Sequence, residues 1–283
     1  MKEKAIGVFD SGLGGLTTVK RIIELAPHEN IVFFGDNARV PYGTRTAKTI
    51  TKFALQDISF LLQNDVKMII AACGTVSSTL PKEYESCLPM PYIGVVQPAA
   101  LAAVLATHNK KIGILGTPAT IKSGAFSSAL TKADSGIIPV ASACPLFVPL
   151  VENGYNSRSS EITRQVATAY LEPLIQASVD TVILGCTHYP IIRDIIADIM
   201  GDVAIIDSGY ETAKHALTVL ETQNTLNGNV GQGTTEFYIS DNPDGFTSLA
   251  ELFLGRALTG TVHLTSLDDI AINPCFNTGL PKQ

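Results

Sequence analysis

Met68-Ile69-Ile70-Ala71-Ala72-Cys73-Gly74-Thr75 and Thr181-Val182-Ile183-Leu184-Gly185-Cys186-Thr187-His188 decide how this chain is read. Each is a short apolar run that ends in a small residue, a cysteine and then small polar residues. A run of this length and composition predicts a strand buried on both faces of a parallel sheet. The cysteine then falls at the strand's carboxyl end, where open α/β sheets bind ligands. Cys73 and Cys186 lie in different halves of the chain. Two such ends, facing one another, would set two thiols on opposite sides of one small molecule.

The surrounding sequence repeats the same order twice. Ala5-Ile6-Gly7-Val8-Phe9 predicts a first strand, and Asp10-Ser11-Gly12-Leu13-Gly14-Gly15-Leu16 a glycine-rich turn into a helix that Pro27 closes. Ile31 to Phe34, Val66 to Ala71 and Tyr92 to Val96 are the next strands, with a helix from about Thr46 to Asn64. Lys111-Ile112-Gly113-Ile114-Leu115-Gly116-Thr117 then restarts the pattern. Ile137 to Ala141, Val182 to Leu184 and Ala204 to Ile206 follow as strands, and Pro145 to Gly154 reads as a loop. Alternating strands and helices predict parallel sheets covered on both faces. The tail beyond Thr235, with strands near 236–239 and 262–265 and a helix near 246–254, is too short for a third domain. It is expected to pack back on one half.

Composition narrows the partners. The chain has 283 residues, 46% hydrophobic and 16% charged, enough for two cores. A net charge of −6 and the lack of a basic stripe argue against nucleic acid. No run approaches ~20 uninterrupted apolar residues, so no membrane span is expected. Met1-Lys2-Glu3-Lys4 leads into no apolar signal-peptide core, which points to a cytoplasmic protein. The five cysteines include no C-x-x-C pair and are expected to be reduced thiols.

A lone cysteine beside an apolar strand is ordinarily a small buried hydrophobe. The matched placement of Cys73 and Cys186 argues for more. At a helix N-terminus a thiolate is favoured by the dipole and the free N–H groups. Cys87, Cys144 and Cys275 have no such counterpart and are assigned to structure. A metal site needs three or four ligands, and Cys186-Thr187-His188 offers two. Two facing thiols suit removal of a proton from one face of a carbon and its return on the other. An ordinary thiol, with a pKa of about 8.5, then needs a tuning partner near the operating pH. Asp10 is the candidate for Cys73 and His188 for Cys186. The turn Gly12-Leu13-Gly14-Gly15-Leu16-Thr17 lacks the third glycine of a dinucleotide fingerprint. Its N–H groups suit a carboxylate instead, and the hydroxyls of Ser11, Tyr42, Thr75, Thr117 and Thr187 suit a small zwitterion.

Asp10-Ser11-Gly12-Leu13-Gly14-Gly15-Leu16, Gly35-Asp36, Pro41-Tyr42-Gly43, Ala72-Cys73-Gly74-Thr75 and Leu184-Gly185-Cys186-Thr187-His188-Tyr189-Pro190 resemble, in that order, the glutamate racemases of the aspartate/glutamate racemase family. The resemblance runs from Ile6 to about Gly209. It implies two pseudo-symmetric, doubly wound (flavodoxin-like) α/β domains with the active site in the cleft between them. It implies interconversion of L- and D-glutamate without pyridoxal phosphate or a metal, supplying D-glutamate for bacterial peptidoglycan. By motif, Cys73 and Cys186 would be the two bases, assisted by Asp10 and His188, with Asp36 and Glu152 as further acidic groups. Asp10, Ser11, Tyr42, Gly43, Gly74, Thr75, Thr187 and His188 would contact the substrate. Gly74 departs from the family, many of whose members carry Asn there. The layout implied is 1–96 plus 207–283 for one domain and 97–206 for the other, in a homodimer. The alternatives are a racemase for aspartate, a decarboxylase or isomerase on the same fold, an amino-acid binding protein, and a thiol redox protein.

Overall fold

Strands and helices alternate along nearly the whole chain in the computed structural model, which describes residues 1–241 and 246–278. Residues 242–245 and 279–283 of the expected first domain lie outside the described residues. β1 (Ile6–Asp10), α1 (Leu16–Leu25), β2 (Ile31–Gly35), α2 (Ala47–Gln63), β3 (Met68–Ala71), α3 (Gly74–Thr79), α4 (Lys82–Glu85), β4 (Tyr92–Gly94) and α5 (Val96–Ala106) come first. The order then restarts with β5 (Lys111–Gly116), α6 (Pro118–Ser123), α7 (Ala125–Ala133), β6 (Ile138–Ala143), α8 (Phe147–Glu152), α9 (Glu161–Gln176), β7 (Thr181–Leu184), α10 (Arg193–Met200) and β8 (Ala204–Asp207). α11 (Ser208–Thr222), β9 (Thr235–Ile239), α12 (Phe246–Leu254) and β10 (Thr261–Leu264) complete it.

Two parallel sheets result. The first runs β10-β9-β2-β1-β3-β4 and the second β6-β5-β7-β8. The four strands β2-β1-β3-β4 and the four strands β6-β5-β7-β8 therefore share one order, so the chain forms two α/β domains of like winding. The tail adds β9 to the free edge of β2, pairing Ile31 with Thr235 through Gly35 with Ile239. The expected 145–154 loop is instead mostly α8, because Phe147 and Val151, four residues apart, both bury on one helical face.

Capping sets several of the helix starts. Thr46, Thr117 and Ser160 each accept from the backbone N–H three residues on, and Asp207 accepts from Gly209 and Tyr210. Burial on both faces explains the apolar strands. Ile6, Val8, Ile31, Phe33, Met68 and Ile70 face a core with α1, α11 and α12. Phe9, Phe34, Ile69 and Ala71 face a second core with Leu55, Ile58 and Leu61 of α2. The first of these cores continues into the second sheet through Leu115, Val182 and Leu184, so buried apolar contact runs from one sheet to the other. A third core lies under α5 and α7.

The registers place the two cysteines at matching points. Ala72 N–H donates to Phe9 C=O at 2.9 Å, and Gly185 N–H donates to Leu115 C=O at 2.8 Å. Phe9 pairs with Ala71 and Leu115 with Leu184. Cys73 and Cys186 are each the next residue after that hydrogen bond.

Candidate functional site

The carboxyl ends of both sheets open into one cavity of about 290 Å³. Ser11 and Gly12 after β1, Cys73 to Thr75 after β3, and the 40–44 loop after β2 form one side. Thr117 after β5, Cys144 after β6, Cys186 to His188 after β7, and Val148, Pro149 and Glu152 of α8 form the other. A wider hollow of about 1020 Å³ lies at the amino ends of the first sheet's strands, beside Lys4, Val66 and Pro91. Ligand sites of such sheets belong at the other end.

Both thiols border the cavity yet are 5% and 7% exposed. Cys73 is the residue before α3, and its Sγ donates to Ser11 Oγ at 3.3 Å. Burial pushes its thiol up to about 11, and the charge of Asp10 adds to this. The Ser11 hydroxyl and the Val76 and Ser11 N–H groups pull the other way and lose. Burial raises Cys186 further; the His188 N–H opposes it, while Cys73, Asp10 and Glu152 reinforce it. The expectation that helix N-termini would favour both thiolates is thus overturned. Desolvation outweighs the nearby N–H groups.

His188 lies beside Cys186 in the same loop. Its Nδ1 lies 3.9 Å from Cys186 Sγ and 3.4 Å from Thr187 Oγ1. Its Nε2 lies 2.9 Å from Glu152 Oε1. With Nε2–H donating to Glu152, Nδ1 presents its lone pair to the thiol. Phe253 of α12 meets the imidazole edge-to-face, ring centroids 4.9 Å apart. Glu152 thus borders the cavity and holds the His188 ring.

Asp10 and Asp36 do not line the cavity. Asp10 is buried behind the glycine turn, with Oδ2 accepting from Gly12 N–H at 3.0 Å. Its Oδ1 makes no hydrogen bond of good geometry, although the Gly15 N–H lies near enough to favour the charged form. Burial still raises its pKa, with the His188 charge opposing. Asp36 is fully buried and already committed. It accepts from Arg39 Nε at 2.5 Å, from Ser240 Oγ at 3.0 Å and from the Tyr42 hydroxyl. Tyr42 also donates to Asp57 at 3.3 Å, and Arg39 Nη2 to Asp57 at 3.0 Å. Burial, then the neighbouring Asp36, raises Asp57. Asp36 is therefore a corrected assignment. It anchors Tyr42, and Tyr42 reaches the cavity.

The remaining expected contacts, Ser11, Tyr42, Gly43, Gly74, Thr75 and Thr187, all line the cavity. The two sides also touch directly. Thr75 Oγ1 and Thr117 Oγ1 are 2.9 Å apart, Ala119 N–H donates to Gly43 C=O at 3.1 Å, and Thr17 Oγ1 donates to Thr187 C=O at 3.1 Å. Sequence reasoning missed Val148, Pro149 and Phe253, whose positions carry no local signal. Cys144, expected to be structural, borders the cavity, but its Sγ donates to Ser142 C=O and burial pushes it up to about 12. Among the described residues no three His, Cys, Asp or Glu side chains gather as a metal site, and no helix is long and apolar enough to cross a membrane.

Two matched sheet ends and two thiols in one cleft define a class. The sequence matches the Asp/Glu/hydantoin racemase family over residues 6–216, and the chain belongs to that family. A glutamate racemase of Geobacter metallireducens is 40% identical over 95% of this chain and 98% of its own length. A glutamate racemase of Francisella tularensis, solved in complex with D-glutamate, superposes with a TM-score of 0.88 at 37% identity, covering 95% of this chain and 99% of that one. A glutamate racemase isoform of Bacillus anthracis superposes with a TM-score of 0.89 at 35% identity, covering 94% and 99%.

Proposed function

We propose that the protein interconverts L- and D-glutamate by two-base catalysis, with Cys73 and Cys186 as the bases. The observation that carries this reading is the equivalent emergence of the two thiols, each one residue past a matching hydrogen bond, into a single cavity. One thiolate takes the Cα proton, breaking C–H and forming S–H. The electron pair left on carbon is delocalised into the substrate carboxylate. The opposite thiol then gives its proton to the other face, leaving a thiolate there. A thiol near 11 is protonated at neutral pH. In this reading the substrate's ammonium supplies the opposite charge that brings the thiols down.

Glu152 and His188 would take up the proton of Cys186. Asp10, raised by burial, would serve Cys73 as a proton acceptor rather than as a charge, since its charge opposes the thiolate. Ser11, Tyr42, Gly43, Gly74, Thr75 and Thr187 would hold the substrate, and Asp36 would position Tyr42. Glutamate is favoured by the relatives named above. The same reading includes supply of D-glutamate for peptidoglycan, a cytoplasmic homodimer, and domains of 1–96 plus 207–283 and of 97–206.

The test is solvent exchange. Purified protein in deuterated water, given either glutamate enantiomer, should yield Cα-deuterated product of the opposite hand, with aspartate much slower. Absence of exchange from both glutamate enantiomers would overturn the reading. Faster turnover of aspartate would reassign the substrate.

A further inference from the structure

The 40–44 loop forms one wall of the cavity, and of its residues only Tyr42 is buried. Its far side is tied to the second sheet, where Ala119 N–H donates to Gly43 C=O. Its near side hangs on the Tyr42 phenol, which turns inward to stand between Asp36 and Asp57. Asp57, on α2, is fully buried. It meets Tyr42 through Oδ2 and Arg39 Nη2 through Oδ1. Phe53, one turn earlier on α2, packs on the Tyr42 ring with centroids 5.3 Å apart and carries the Arg39 guanidinium 4.1 Å above its own face.

Two carboxylates and one guanidinium would leave an unbalanced negative charge in the interior. A proton on Asp57 removes it. Burial, and then the Asp36 charge, favour that proton, with Arg39 and Tyr42 opposing. The phenol has one proton and two acid neighbours, of which Asp36 is the nearer. A protonated Asp57 gives the second contact a hydrogen of its own and leaves the phenol's to Asp36. We infer that Asp57 is a positioning residue: with Asp36 it clasps the Tyr42 phenol and so holds the 40–44 loop as a wall of the cavity. Asp57 does not itself line that cavity. This rests on the reading above in which Tyr42 and Gly43 hold the substrate.

The experiment compares Asp57→Ala, Asp57→Asn and Tyr42→Phe with the unaltered enzyme. Loop fastening is read without ligand, as the rate at which trypsin cuts after the exposed Arg45 relative to the exposed Lys132 on α7. Asp57→Ala should raise that ratio about fivefold or more, since proteolysis reports local opening. Asp57→Asn keeps an acceptor for Arg39 and a donor for Tyr42, so its ratio should stay within about twofold of the unaltered enzyme's. In turnover, Asp57→Ala should raise KM for glutamate roughly tenfold with kcat within about threefold, because the loop holds substrate and transition state alike. Asp57→Asn should restore KM. A lowered fraction of folded enzyme would depress kcat and leave KM unmoved. Absence of turnover in the unaltered enzyme would condemn the racemase reading, and the cleavage ratio would still decide on the clasp. If Asp57→Ala fails to fold, Tyr42→Phe, which removes the clasped hydroxyl and keeps the ring, carries the test with the same rises expected. A folded Asp57→Ala with an unchanged ratio or, in an active enzyme, an unchanged KM would overturn the inference. So would an Asp57→Asn that falls with Asp57→Ala, or an unfolded Asp57→Ala beside a Tyr42→Phe with an unchanged ratio.

Discussion

Cys73 and Cys186 differ in what surrounds them, and the difference makes predictions. Cys73 has a hydroxyl neighbour, Ser11; Cys186 has an imidazole backed by a carboxylate. Replacing either thiol by Ala should cut racemisation by roughly a thousandfold or more, since acid–base groups typically supply 10²–10⁴. Circular dichroism should show the fold retained, because Ala fills most of the same small space. The raised thiol of Cys73 also links pH to stability. Its folded value, about 11, lies well above that of an exposed thiol, so the folded state holds the proton more tightly. The stabilisation is complete below pH 9 and is lost as pH climbs towards 11. Each pH step is worth about 1.4 kcal/mol, so roughly 3 kcal/mol disappears over that window. Denaturant titrations at pH 8 and pH 10.5 should show the fall, and Cys73→Ala should shrink it. An equal fall in that variant would assign the effect elsewhere.

Among elements, α12 links the tail to the site. Phe253 is 1% exposed and meets the His188 ring. Phe253→Ala should destabilise the protein by about 3–5 kcal/mol through the cavity it leaves. It should also alter the alkaline limb of the rate profile, whereas Phe253→Leu should keep most of both. The buried Lys67–Glu29 pair, 2.5 Å apart just before β3 and β2, makes a second test. Lys67 also donates to the carbonyls of Lys2 and Thr225, tying the start of the chain to the segment after α11. Lys67→Ala leaves Glu29 charged and buried and should cost about 3–5 kcal/mol, read from urea melts. Strands β1, β3, β5 and β7 were legible because both faces of a parallel sheet demand apolar side chains. Met68 to Ala71 and Val182 to Leu184 therefore announce themselves. α8 was not, because Pro145 to Gly154 stands where the Pro41-Tyr42-Gly43 loop stands in the first half, while Phe147 and Val151 bury the same face. Asp36 was legible as an acid near the site and illegible as the anchor of Tyr42, since Arg39, Asp57 and Ser240 complete its surroundings only after folding.

For the whole molecule, the core shared by the two sheets makes the cleft part of the fold. Ligand that binds the folded protein must raise stability by mass action, about 2.7 kcal/mol at a hundredfold excess over Kd. Glutamate should therefore raise the melting temperature of the wild-type protein, and also of a Cys73→Ala variant that cannot turn it over. No shift for either would place the ligand elsewhere. Cutting the chain after Thr234 would remove β9, β10 and α12 and bare the long edge of β2. An unprotected flat edge invites pairing between copies, so that truncation should aggregate, as light scattering would show. The site's outline was readable from the paired cysteine stretches; its depth was not, because Phe253, Val148 and Gly185 meet their partners only through tertiary packing.

The unequal surroundings of the two thiols have one further consequence. Mirror-image substrates have the same free energy in water, so the equilibrium ratio of the two hands is fixed outside the protein. The Haldane relation then requires kcat/KM to be identical in the two directions. His188 on one side and Ser11 on the other can tilt kcat and KM only together and in proportion. Whatever handedness the cleft has, it can set how long each enantiomer lingers, never which one prevails.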